Sequence, residues 1–255
     1  MTAIMPHPKS ERRVAIVTDA TMHLGPDLAR VLAERGHDLV LGEAAEGLAE
    51  EVARHGVEVE TVDGVADLTQ PEAVQSLVDC ALSRFGRLDA ACIRTGRIIG
   101  GDFLDATLDE LRALSSANLE SVFHALKSLL PPMIEARAGQ IVIVTSASGQ
   151  RPVPQAALYS ATRAGANMMV RNAALTVAKY SVTVNALGTN FLDYPGFVDA
   201  SGAADPDIRS KIESRIPLRR LGDPSEVAHF CASLLDGTNR FQTGQFFSMS
   251  GGWSD

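Results

Sequence analysis

Seven short apolar runs alternate with stretches of helical spacing along this 255-residue chain. The runs lie at 14–17, 37–41, 57–62, 88–93, 140–145, 182–187 and 244–249. QIVIVT at 140–145 is apolar almost throughout, as in a strand covered on both faces. Helical spacing marks 24–35, 44–55, 71–85, 107–130, 155–180 and 224–235, with a shorter helical stretch at 208–216. Gly36, Gly56 and Gly86 stop three of these helices and Pro131-Pro132 stops a fourth. Such alternation folds as a parallel sheet with right-handed crossovers. The expected fold is therefore α/β: a doubly wound, Rossmann-like parallel sheet of seven strands. It forms a single domain over 12–255, after a disordered segment at 1–11.

Composition limits what such a domain does. A hydrophobic share of 45% supplies a sizeable core. The formal charge of −8 offers no basic surface for nucleic acid or for an anionic membrane. No apolar run approaches the roughly 20 residues of a membrane-spanning helix. The first residues, MTAIMPHPKSERR, lack the apolar core of a secretion signal. Cys80, Cys92 and Cys231 have no CxxC spacing, which speaks against disulfides and zinc. His37, His55, His124 and His229 share no ligand spacing, so no metal is expected. The chain reads as cytoplasmic.

In a doubly wound sheet, ligands bind beyond the carboxyl ends of the strands. The segments 18–25, 93–96, 145–148 and 187–192 all follow strand ends and should converge there. The stretch 146–163 reads SASGQRPVPQAALYSATR. Tyr159 and Arg163 are four apart, hence on one helix face. A cation one turn away favours the phenolate form of the tyrosine. Ser146, at the end of the preceding strand, can hold a substrate oxygen beside it. Together they read as a general base, a charge that tunes it and an oxygen clamp.

Nearly the whole chain resembles the short-chain dehydrogenase/reductase superfamily. The resemblance rests on Asn118 in NLESVF, on Ser146 and Tyr159, on the turn at Gly188 and on the terminal TGQFFSMSGGW. The departures are specific. Where the superfamily has a glycine-rich TGxxxGxG loop for a dinucleotide, this chain has TDATMHLG, which keeps only Gly25. NNAG is replaced by IRTG at 93–96, the lysine after the tyrosine by Arg163, and the proline after strand six is missing. Asp19 would repel a phosphate and His23 would intrude on it.

These departures resemble an offshoot of the superfamily, the halohydrin dehalogenases, with their Ser-x12-Tyr-x3-Arg spacing. That resemblance implies a lyase with no cofactor. It would turn a vicinal halohydrin into an epoxide with release of halide, and reopen epoxides with small anions such as azide, cyanide or nitrite. It places the catalytic roles on Ser146, Tyr159 and Arg163. The halide pocket is expected from Thr18, His23, Gly25, Thr189, Asn190, Phe191 and Leu192, where a neutral imidazole of His23 could donate to the anion. The substrate pocket is expected from Ile93, Thr95, Pro152, Tyr194 and Phe197, with 193–204 as a mobile lid. A homotetramer is implied through the long helices and the terminal strand. Two alternatives stand beside this one: an NAD(P)-dependent reductase with arginine in place of lysine, and a non-catalytic binding protein on the same scaffold.

Overall fold

A computed structural model describes residues 10–254. The disordered start expected at 1–11 falls mostly outside them. Ser10, however, is tied down, donating its amide to Phe85 O and its hydroxyl to Asp38.

The first half of the chain runs β1 (Val14–Val17), α1 (Gly25–Glu34), β2 (Asp38–Gly42), α2 (Leu48–Ala53), β3 (Val59–Val62), α3 (Pro71–Phe85) and β4 (Ala90–Arg94). The second half runs α4 (Leu108–Ser115), a π turn (Ser116–Glu120), α5 (Ser121–Ala136), β5 (Gly139–Ser146), α6 (Ala157–Val177) and β6 (Val182–Thr189). It closes with α7 (Pro195–Ser201), α8 (Pro206–Glu213), α9 (Pro224–Leu235) and β7 (Phe246–Met249). All seven strands pair in parallel in the order β3-β2-β1-β4-β5-β6-β7. The order reverses between β1 and β4, which fixes the crevice for a ligand at their carboxyl ends.

The buried strands divide their side chains between two cores. Ile16, Ile93, Ile141 and Ile143 point to the side packed by α3, α5 and α6. Val17, Cys92, Val142 and Val144 point to the side packed by α1, α2 and α9. Each large aliphatic buried this way contributes about 1.5–3 kcal/mol. Ile93 is fully buried in the first core. It therefore belongs to the packing and not to a substrate pocket, because side chains alternate along β4.

Two local expectations change. The helix that should stop at Pro131-Pro132 runs through both prolines to Ala136. Proline costs a helix its amide bond. Met133 compensates by being fully buried against Gly139, where an added Cβ would meet its sulfur at 2.4 Å. The loop expected after β6 contains α7, opened by Pro195 at its first turn and closed by Gly202 in the left-handed region. The segment 193–204 is thus part helix and not an unstructured lid. Among the described residues, no helix is long and apolar enough to cross a membrane.

Candidate active site at the carboxyl ends of the strands

β5 and β6 pair over their full length, and the last pair is Ser146 with Thr189. Ser146 is buried, and its Oγ accepts the Ser148 amide at 3.1 Å, so the chain turns off the strand there. Tyr159 lies in the first turn of α6 and Arg163 one turn later. The guanidinium sits over the tyrosine ring, 5.2 Å from its centroid, a cation–π placement. Arg163 therefore meets the ring face. Its Nη1 donates to Thr95 Oγ1 at 3.2 Å and its Nη2 to Thr95 O at 2.6 Å. Arg163 is only 4% exposed, its Nε has no partner, and among the described residues no carboxylate pairs with it.

Gly96 makes this packing possible. It has φ +88°, and an added Cβ would stand 2.0 Å from Asn118 Oδ1 and 2.4 Å from Arg163 Nη2. Asn118 sits in the π turn between α4 and α5, where one extra residue loosens the helix. Its Nδ2 donates to Thr162 Oγ1 at 2.9 Å and its Oδ1 accepts the Arg97 amide at 3.0 Å. Asn118 thus ties α6 to the segment after β4. The match at NLESVF was its signal in the sequence, but nothing there distinguished this role from helix packing.

A pocket of about 190 Å³ opens above these groups. Its walls bring together Ser146, Tyr159, Arg163, Thr95, His23, Thr189, Asn190, Phe191, Leu192, Tyr194 and Phe197, which were expected at the site. Arg94 and Arg97 join them unanticipated, and no Asp or Glu lines the pocket. Four expected residues are elsewhere. Ile93 is core. Pro152 is exposed and away from the walls. Thr18 faces the neighbouring cavity, and its Oγ1 accepts the Arg94 amide at 2.9 Å. Gly25 opens α1, so close to Asp19 that a Cβ would meet the Asp19 carbonyl oxygen at 2.1 Å. The one surviving glycine of the loop thus serves the turn.

His23 reaches across the crevice. Its backbone is in the left-handed region at φ +55°, its ring is buried, and Nε2 is 3.3 Å from Thr189 Oγ1. The ring meets Tyr194 edge-on at 5.0 Å. Burial, then the charges of Arg94 and Arg163, push its pKa down to about 3, so the imidazole is neutral at ordinary pH. Asp19, also left-handed at φ +54°, pairs with Arg94 at 2.7 Å. Burial holds its carboxyl above the usual range, against the pull of Arg94.

Beyond this pair lies a wider cavity of about 670 Å³, reached by Glu43, Asp67 and Thr69 from the ends of β2 and β3. Arg94, Gly96 and Arg97 line both spaces. A dinucleotide of the superfamily would span the two, with its pyrophosphate on the β1–α1 loop. The residues there do not fit it. The Gly25 amide is bonded to Met22 O, Pro26 has no amide, and Asp27 places a carboxylate in the first turn of α1. The Asp19–Arg94 pair stands at the junction, and the ring of His23 crosses from loop to β6. In the outer cavity, Glu43 Oε1 already accepts the amides of Val65 and Ala66. Asp67 caps the turn into α3 through Thr69.

Comparison with known proteins is consistent in kind. The model of the enoyl-(acyl carrier protein) reductase family matches residues 21–254. A 3-oxoacyl-(acyl-carrier-protein) reductase of Staphylococcus epidermidis is 29% identical over 93% of this chain and 97% of its own. A cis-4-hydroxycyclohexanecarboxylate dehydrogenase of Sinomonas cyclohexanicum is 33% identical over 95% of this chain and 96% of its own. The crystal structure of a levodione reductase superposes with a TM-score of 0.85 at 25% identity, covering 95% of this chain and 97% of that one. These relatives are reductases and dehydrogenases. They overturn the expectation of a lyase that releases halide from halohydrins, and the epoxide chemistry attached to it. By sequence and by fold, the chain belongs to the enoyl-(acyl carrier protein) reductase family, within the short-chain dehydrogenase/reductase superfamily.

Proposed function

We propose that this chain acts at the carbon–oxygen bond of a small alcohol or carbonyl compound, the chemistry that the names of its relatives share. The observation that carries this reading is the meeting of Ser146 and Tyr159 in one small pocket, at the ends of β5 and the start of α6. Tyr159 exchanges a proton with the substrate oxygen, and the Ser146 hydroxyl hydrogen-bonds and orients that oxygen. Arg163, held on Thr95, keeps a positive charge beneath the reacting phenol. His23, neutral and buried, shields the centre from water on the crevice side.

The substrate class follows from charge. Three arginines and no carboxylate line the pocket, and Arg94 alone among them pairs with an acid, Asp19. A buried guanidinium without a counter-charge is costly, and an anion in the pocket offsets that cost. A small hydroxy or oxo acid, or a small free anion beside a neutral substrate, meets this requirement. The hydroxycarboxylate in the Sinomonas relative's name is of the first kind.

The test is turnover of a panel of ketones, oxo acids and their alcohols, with NADH or NADPH supplied and followed by absorbance. Oxidation or reduction of nucleotide that depends on substrate and on Tyr159 supports the reading. Absence of turnover with every pair sinks it as an oxidoreductase. The second reading, a binding protein, is favoured by the poor fit of the pyrophosphate segment. It requires that the same compounds still bind without being changed.

A homotetramer is part of the proposal. Phe123 on α5 and Met168 and Leu175 on α6 are half or more exposed, an apolar surface that a second copy would cover. Leu175→Glu should lower the mass measured by light scattering. An unchanged mass from a wild-type monomer would remove this part.

A further inference from the structure

We propose that the cavity behind residues 190–192 is a second ligand pocket, which takes an apolar arm of the molecule held at Ser146 and Tyr159. Phe191 is the door between the two. This inference rests on the proposed placement of the ligand oxygen at Ser146 and Tyr159.

The cavity measures about 240 Å³, and Leu192, Ile216, Leu218, Val227 and Met249 give it apolar walls. It shares Asn190, Phe191 and Leu192 with the catalytic pocket, so one short segment separates the two spaces. Each alone is smaller than a usual small-molecule site of about 300–1,000 Å³, whereas the two joined reach that range. The charges at the second cavity cancel locally: Arg220 donates to both oxygens of Glu226, each at 2.7 Å. Its interior therefore selects an uncharged aliphatic or aromatic arm, in contrast to the arginine-lined catalytic side.

Phe191 is built as a movable wall. Its φ of +56° is unusual for a bulky side chain. The conformation is held from outside, because Phe191 O accepts the Gly222 amide at 2.9 Å and Gly222 O accepts the Asp193 amide at 2.8 Å. The ring meets Phe197, a wall of the catalytic pocket, at 6.2 Å and Trp253 at 5.4 Å. Neither contact encloses the ring as a core would. A strained residue fixed by its neighbours at the boundary of two cavities is the expected form of a gate. The occupant is a ligand arm and not a second subunit, because the shared wall belongs to the catalytic pocket itself.

The only tryptophan in the chain, Trp253, stands against the door and reports on it. The full chain is titrated with 2-butanone and with 2-nonanone, following Trp253 fluorescence and thermal stabilisation. Two variants accompany it. Phe191→Gly suits the backbone and opens the wall, and Leu218→Asp puts a charge at the exposed rim of the second cavity. The wild type should prefer 2-nonanone. Leu218→Asp should weaken 2-nonanone at least tenfold and leave 2-butanone unchanged. Phe191→Gly should widen the preference for the longer ketone. The same nonanone-to-butanone ratio in all three proteins would overturn the second pocket while leaving the catalytic one in place. A change of oligomeric mass in Leu218→Asp without loss of nonanone affinity would assign the cavity to a subunit contact and overturn it too. Failure of both ketones to bind any of the proteins would remove the catalytic placement and this inference with it.

Discussion

Residues 18–25 and 146–163 face each other across one crevice, and they depart from the superfamily in opposite ways. On the second segment the substitution of arginine for lysine preserves a cation one turn beyond the tyrosine and finds it new partners in Thr95. On the first, the glycines have given way to Asp19 and His23, yet the backbone still takes the left-handed angles that glycine supplies freely. The main-chain path of a phosphate loop survives while its open space is filled with side chains. Proton chemistry and nucleotide binding are thus separable properties of this scaffold, carried by different strand ends.

The largest effect that sharpens this contrast is expected at Tyr159. Tyr159→Phe should lower turnover by about 10²–10⁴-fold, the range for loss of a general acid or base. Ligand affinity should change little. A variant that keeps most of its rate would show that the second segment is not the proton-transfer site. The converse change, Asp19→Gly with His23→Gly, empties the first segment. Nucleotide affinity measured by NADPH fluorescence should then rise tenfold or more, about 1.4 kcal/mol. Equal affinity in the variant and the wild type would place the obstacle at Pro26 and Asp27.

Smaller effects concern stability. His23 has a depressed pKa in the folded state, so the unfolded chain binds a proton that the folded chain refuses. Its stabilising contribution is complete above the unfolded value near 6.5 and falls by up to roughly 1.4 kcal/mol per pH unit as pH drops from there toward 3. Denaturant midpoints of His23→Gln should decline less steeply over that window. Parallel slopes would break the account of His23 as a buried neutral bridge. The smallest expected change is in Arg163→Met, which removes a buried cation with no carboxylate partner. Its stability should stay within about 1 kcal/mol of wild type, since replacing buried charge with apolar volume is often neutral. A loss of several kcal/mol would show that the Thr95 bonds hold the site together.

Much of the fold was legible because buried parallel strands announce themselves as apolar runs, and Gly36, Gly56 and Gly86 mark where helices end. The run through Pro131-Pro132 was not, because burial of Met133 outweighs a local penalty that sequence alone displays. At the site, Ser146, Tyr159 and Arg163 were legible from spacing, and His23 from its place in a loop. Ile93 was misplaced because strand alternation decides which side faces the ligand, and a motif does not show the phase. Pro152 follows Ser146 closely in sequence but lies on the exposed side of the turn. Arg94 and Arg97 escaped notice because their meaning depends on the absence of nearby acids, which only the folded arrangement reveals. The reaction was misjudged for a related reason: a proton-transfer trio names no electron acceptor and no leaving group, so its spacing is compatible with more than one bond being broken.

The π turn at Ser116–Glu120 has a consequence for how this chain tolerates length changes. An α-helix turns by about 100° per residue. Removing one residue there would restore regular winding and rotate α5 against α4 by that angle. Val122, Leu126 and Leu129 would leave the core together, and Asn118 would lose both Thr162 and Arg97. The extra residue works as a phase setting between two helical segments, so a single deletion is expected to do more harm here than any single substitution in the same stretch.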